Sequence, residues 1–401
     1  MLPAMNGVAT SQSVVNNVQL QQGDITSGQT LNVVTATDAT SATTSATANS
    51  VSSAVETGTL AVTSTQTLDG GLGAGNVAAQ TTVNVTASAG AQAALTTAAT
   101  GNSSDVEGLD SGAVAGTVSQ TAGAVNVTAD SQINGLTAQS GAVSTSTQAI
   151  ANTQGVTVVD TSAAVTASQS SAALTQATGG TDLMYSPGSA AQTATAVSNN
   201  FTGAGTGASS QALNVTQTMT GPRTQAGEVD GFGNVQAAAA AATATDNNLT
   251  VTNENGALAV TDVQNNNAYT RAETVMDTYD FGAAQGSAYG VGNSVLAGEN
   301  GTSMTLNNTQ TNNGGDIVAL STFSGANGYD ASSSATAMGN AVTGYACSDC
   351  GGTISIGNSQ TNSANISATS TLSLAAGARS AIGVATAVGN NATFYVSKPS
   401  H

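Results

Sequence analysis

The residues able to do chemistry are few in this sequence. Acids come in three groups, Asp105/Glu107/Asp110, Glu228/Asp230 and Glu273/Asp277/Asp280. A carboxylate pair is the minimum for glycoside cleavage, but such sites also need aromatics and bases to hold substrate, and the plain alternative is solvated acids in loops. The only histidine, His401, ends the sequence and cannot anchor a Ser-His-Asp arrangement spread across a fold. Gly227-Glu228-Val229-Asp230-Gly231, Gly314-Gly315-Asp316 and Tyr279-Asp280 offer hard oxygens that suit calcium. None of them repeats the Gly-Gly-x-Gly-x-Asp nonapeptide of calcium-binding β-rolls. Cys347 and Cys350 form Cys-Ser-Asp-Cys, open to a redox motif, half a zinc site or a disulfide. Zinc lacks the other ligands, and no helical period marks a thioredoxin-like start, so a loop-closing disulfide is the favoured reading. These residues predict no enzyme, no cofactor and no metal centre. The aromatics Phe232, Tyr279, Phe281, Tyr329, Phe394 and Tyr395 are the candidates for contact with carbohydrate or protein, because rings anchor interfaces. Their competing role is plain filling of the core.

Composition sets the limits. Charged residues are 6% and aromatics 3% of the 401, with no Trp, against about a quarter charged in ordinary domains. The apolar share is mostly Ala and Val, enough for a narrow core of stacked small residues. Enrichment in Ser, Gly and Gln also fits a solvated coil. Scarce Pro, low charge and abundant Val and Thr argue instead for ordered strands. The net charge of −18 reflects the lack of bases, which are only Arg223, Arg271, Arg379 and Lys398. Binding nucleic acid by phosphate neutralisation, or an anionic membrane surface, requires clustered bases and is excluded. No apolar run is long enough for a membrane-spanning helix. Met1–Asn17 lacks the basic start and apolar core of a secretory signal, so export would involve a mature form or a dedicated exporter.

The elements that must position these residues are set by a repeat. Ala385-Thr386-Ala387-Val388-Gly389-Asn390 returns as Ala335-Thr336-Ala337-Met338-Gly339-Asn340 and, more loosely, further back. Its Asn falls at Asn49, Asn102, Asn152, Asn199, Asn247, Asn293, Asn340 and Asn390, in steps of 53, 50, 47, 48, 46, 47 and 50. A second series, Gln19, Gln66, Gln120, Gln169, Gln217, Gln264, Gln310 and Gln360, keeps the same phase. The interval from Gln19 to Asn49 recurs unchanged from Gln169 to Asn199, Gln217 to Asn247, Gln310 to Asn340 and Gln360 to Asn390. Such a period marks a solenoid, a propeller or an array.

The expected fold is all-β: an elongated β-solenoid (β-helix) of about eight ~48-residue repeats. Splitting each repeat into two turns of about 24 residues would give a rod of roughly 75–80 Å. Asn and Gln would stack at its corners as hydrogen-bonded amide ladders. An eight-bladed β-propeller is the rival, disfavoured because its blades need bulky packing and no aromatic precedes Tyr185. Residues 1–45 read as a capping or partial repeat, 46–180 as aromatic-free repeats, and 181–401 as aromatic-containing repeats with a C-terminal cap. The repeat phase crosses the compositional change at Gly179–Pro187, which favours one continuous coil over a linker. Asn255-Gly256 marks either a hairpin or a corner between faces. The six Ala of the run Gln236–Ala242 read as strand or loop, although a helical turn is the other option.

Parts of this vocabulary occur in known families. Curlins stack Gln and Asn in shorter turns, ice-nucleation proteins share the superperiod but not the signature unit, and trimeric-autotransporter heads resemble Ala385–Asn390 locally. Over the whole chain, the low charge, the Ala/Thr/Asn/Gly texture and the Gln/Asn repeats resemble holdfast-anchoring proteins of the HfaD type. That resemblance implies a bacterial extracellular or outer-surface protein that attaches a polysaccharide adhesin to the envelope, and it carries over no functional residue. The functional expectation is an exported structural adhesin or surface-fibre subunit. It would act by self-association, since strand edges without Lys favour end-to-end pairing, and through other surface proteins or polysaccharide. A carbohydrate-binding β-helix module, or a polysaccharide-degrading one, is the alternative.

Overall fold

The computed structural model describes residues 12–71, 75–347 and 353–397. They form 18 strands and no helix. Every strand pairing is parallel, and no hairpin occurs among the described residues. Partners lie one repeat apart, as in Gln19↔Gln66, Asn49↔Asn102 and Asn293↔Asn340. The chain is therefore one continuous β-solenoid, and the propeller is ruled out, since blades are built from strands that are neighbours in sequence.

Each repeat is one wide turn, which corrects its division into two half-length turns. A turn has a long face (39–55 in the second coil), a first short face (59–68) and a second short face (77–88). Eight rungs at the inter-strand spacing rise only roughly 35–40 Å. The width comes from the long face, which runs as one strand opposite both short faces. The corner after the long face bends through left-handed residues at Gly58, Asp110, Asp160, Gly207 and Asn255, residue types that adopt this conformation cheaply. Asn255-Gly256 is thus a corner rather than a hairpin. The poly-Ala run is strand, with Ala238, Ala240 and Ala242 inward. Residues 174–206 form one continuous strand through the compositional change at 179–187.

Alternation along each face sends every second side chain inward, and the interior divides into compartments. Ala42 and Val83 belong to one apolar cluster, Ala46, Leu68 and Ala79 to a second, and Val55, Leu60 and Val62 to a third. A row of hydroxyls separates the first two: Thr97 bonds Thr81, Thr81 bonds Thr44, and farther along Ser370 bonds Ser333 and Ser333 bonds Ser321. The amides separate the second from the third. They lie at mid-face and point into the interior, not at corners as the repeat first suggests.

A recurring irregularity aims the Asn inward. In every rung the residue before it, such as Ala48, Gly101 or Ser198, is passed over in the pairing. A bulge of this kind breaks the alternation, so that two successive residues face the core. Ala151 with Asn152, and Asp246 with Asn247, are buried together.

Candidate functional site

The amides form two continuous hydrogen-bonded columns. Asn49 Nδ2 donates to Asn102 Oδ1 at 2.8 Å, Asn102 to Asn152, and so on until Asn340 donates to Asn390 at 2.7 Å. The Gln column runs the other way, with Gln66 Nε2 donating back to Gln19 Oε1 at 2.8 Å and Gln360 to Gln310 at 2.7 Å. The two columns also tie the opposite faces together. Each Asn from Asn49 to Asn340 gives its second hydrogen to the carbonyl after a Gln, as Asn199 does to Thr218, and each Gln to the carbonyl after an Asn, as Gln169 does to Asn200. Interior amides thus use both donors and their acceptor. This matters because an unpaired buried polar group costs about 1–3 kcal/mol.

At the ends the columns stop with complementary valences. Among the described residues nothing donates to Asn49 Oδ1 or to Gln360 Oε1. Gln19 Nε2 donates only to Ser50 O, and Asn390 Nδ2 only to Gln360 O at a long 3.5 Å. The N-terminal end therefore offers an acceptor on the Asn column and a donor on the Gln column. The C-terminal end offers a donor on the first and an acceptor on the second. Among the described residues the last strand, Ser380–Ser397, pairs on one side only, with the strand Ile317–Cys347.

The second feature is a surface groove where the second short face turns back into the long face. Two adjoining hollows of about 510 and 700 Å³ run across successive rungs there. Asp182, Met184, Phe232, Asp277 and Tyr279 line the first, and Tyr185, Asn234, Asp280, Phe281, Asn327 and Tyr329 line the second. Tyr279 is 63% and Tyr329 64% exposed. Both sit at positions the pairing passes over, Tyr279 between Thr278 and Asp280 and Tyr329 between Gly328 and Asp330, so a local bulge pushes each ring outward. Asp280 accepts from Asn327 Nδ2 at 2.9 Å and, with the Asn234 amide turned nitrogen-inward, from Asn234 at 2.8 Å. Arg379 pairs with Asp330 and stands 6.0 Å from the Tyr329 ring centre. The walls carry Asp182, Asp277 and Asp280, and the one base beside them, Arg379, is matched by Asp330, which leaves a net negative local field.

The other aromatics divide. Phe232 and Phe281, candidates for surface contact, are buried at 4% exposure each, which corrects that role. Phe281 packs edge-on against Phe323 at 5.2 Å and floors the groove. Phe394 and Tyr395 lie on the last strand, half-exposed, with Tyr395 stacked on Tyr345 at 5.7 Å. Cys347 is disulfide-bonded, and Cys350 lies outside the described residues, as does His401.

The acid groups also separate. Asp110 is a corner residue with a left-handed backbone, Glu273 pairs with Arg271 at 2.8 Å, and Asp277 and Asp280 line the groove. Glu228 and Asp230 are inside the coil, far from any Gly turn, which removes them as solvent-facing ligands or as a surface acid pair. Sequence reasoning missed the buried acids Asp246, Asp262 and Glu299. Only the repeat phase could have found Asp246, since it directly precedes a series Asn. No cluster of three or more His, Cys, Asp or Glu able to hold a metal occurs among the described residues, and none of them forms a helix able to cross a membrane.

The sequence model of a family described as holdfast attachment protein D matches residues 34–315, well over half of the chain. No curated protein and no solved structure matches it.

Proposed function

Because this chain belongs to the holdfast attachment protein D family, we propose that it is an exported surface-fibre subunit that stacks end to end and holds a polymer along its groove. The observation that carries the reading is the complementarity of the column ends. In a second copy placed above the first, Asn390 would donate to the partner's Asn49 Oδ1, and the partner's Gln19 would donate to Gln360 Oε1. Among the described residues the columns begin with Gln19 and close with Asn390, so the alternation would continue across the junction. Open parallel edges supply the backbone bonds, and the end strands 12–21, 25–35, 353–362, 366–374 and 380–397 carry no charged residue, which keeps repulsion at the edge small. A fibre built this way repeats the groove along its length, and repeated weak contacts raise avidity.

The groove supports the second half of the reading. Exposed Tyr rings in two adjoining hollows, flanked by carboxylates and amides, suit a neutral or cationic polymer and disfavour an anionic one. Family membership supports a role in surface attachment, and it supports attachment over catalysis, because the family is described by adhesion. Electron microscopy of the purified chain across a concentration series tests the assembly. Filaments whose width matches one solenoid are expected, and compact monomers at every concentration would contradict it.

A further inference from the structure

Glu228 and Asp230 break the pattern of the interior. They sit two residues apart on the second short face, both inward, at 0% and 3% exposure. Glu228 occupies the column that elsewhere carries the hydroxyls of Ser131, Thr274 and Ser321. Gly179, directly below it, has no side chain, and a Cβ there would collide with both Glu228 carboxylate oxygens. Gln192 holds the matching place on the long face, in register with Ser333 through Ala240 and Gly286. The two columns that Ser333 bridges through Ser321 and Ser370 carry Gln192 on the long face and Gly179 and Glu228 on the short one.

None of these side chains is satisfied by another. Both oxygens of Glu228, both amide atoms of Gln192 and the hydroxyls of Thr181 and Thr145 are buried without a hydrogen-bond partner, and the Asp230 carboxylate has only the Thr181 backbone N–H beside it. Thr181 is in register with Asp230, and Thr145 with Gln192. The two amide columns are satisfied along their length, and although single groups elsewhere, such as Asp262 and Gln211, also lack a partner, five such side chains at neighbouring register positions point to something that bonds them.

We propose that Glu228, Asp230 and Gln192, with the hydroxyls of Thr181 and Thr145, form an internal site for one divalent cation of the calcium class. The donors are all hard oxygens, carboxylate, amide and hydroxyl, and nitrogen and sulfur ligands are missing, which excludes the preference of zinc. Two carboxylates balance a 2+ charge. Calcium accepts six to eight oxygens in flexible geometry, whereas magnesium demands a tight octahedron and keeps its waters. Burial holds both carboxyls well above the usual carboxylate range, and Asp230 raises Glu228 further; a bound cation offsets that cost of ionisation. The site is closed by the long face, so the cation enters as the coil forms, and binding is coupled to folding.

The full chain, unfolded in denaturant and refolded at pH 7 with EDTA, CaCl2 or MgCl2, provides the test. After removal of free ion, one calcium per chain is expected to remain bound, with a melting temperature about 5 °C above the EDTA sample. The E228Q/D230N double variant is expected to retain none, and to melt no lower than the metal-free wild type, since its amides carry no buried charge. Absence of retained calcium in the wild type would overturn the proposal. So would equal retention by the double variant, or equal retention of magnesium.

Discussion

Asn49 and Gln66, one behind the other across the interior, send their side-chain hydrogens in opposite directions along the coil. Asn49 donates one turn forward to Asn102 and Gln66 one turn back to Gln19, each at 2.8 Å. Like-directed amide columns would sum their dipoles along the axis, and opposed ones cancel. Opposition also gives the coil a handed pair of ends. Each end presents one donor and one acceptor, and a head-to-tail neighbour matches both while keeping Asn on Asn and Gln on Gln.

A break in the middle of a column should be felt as a core defect. Asn199 is fully buried, accepts from Asn152 and donates to Asn247 and to the Thr218 carbonyl. Asn199→Ala removes these bonds and leaves Asn152 with an unused donor, a loss on the order of 3 kcal/mol. Thermal or denaturant unfolding should show it, while Asn16→Ala, on the outer side of the first strand, should change little.

Stability should fall as pH rises. Burial pushes Asp246 from 3.8 up to about 7, against opposing hydrogen bonds from Thr224, Thr270 and Asn266. Burial also pushes Glu299 up to about 7. An acid whose folded pKa is raised stabilises the fold fully below its unfolded value and loses that contribution as pH climbs through the folded one. The melting temperature should therefore be highest near pH 4 and decline between about 4 and 7. Asp246→Asn should flatten its share of the slope, on the order of 4 kcal/mol. A melting temperature that rises over the same range would contradict this.

Two neighbours in sequence should behave oppositely when truncated. Tyr279→Ala removes an exposed groove ring and should leave the melting temperature within a degree or two, while polymer retention drops about tenfold or more. Phe281→Ala removes a buried ring packed on Phe323 and should cost about 3–5 kcal/mol. Retention on a neutral glycan column and calorimetry on the same samples separate the two. Equal retention by wild type and Tyr279→Ala would remove the groove from the account.

The repeat was readable because stacking demands it: a residue in a parallel coil faces its own kind one turn away, so Gln19 meets Gln66 in register. Turn size was not readable. A period of about 48 fits one wide turn or two narrow ones equally well, and only the placement of Leu60, Thr81 and Val83 in separate compartments reveals the flattened section. The aromatics were readable as a set but not one by one. Phe281 and Tyr279 differ in burial because a bulge residue reverses alternation between them, and nothing in Thr278-Tyr279-Asp280 announces a bulge. The column ends lay beyond pattern reading too, since amide identity at a position does not fix which way its hydrogens point. Glu228 read as a turn ligand because of its flanking glycines, and Gly227 proves to lie within a strand.

Sedimentation velocity on the end variants tests the central claim most directly. Asn390→Asp replaces the terminal donor of one column with an acceptor, and Gln19→Glu does the same at the other end. Both residues lie in end rungs, so each single variant and the pair should keep the wild-type far-UV circular dichroism and, at concentrations too low for stacking, the wild-type melting temperature. Wild type should sediment as a concentration-dependent series of multiples of the 38.6 kDa chain, and the double variant as monomer alone. Multimers of the same size and concentration dependence in the double variant would contradict head-to-tail stacking through the amide columns.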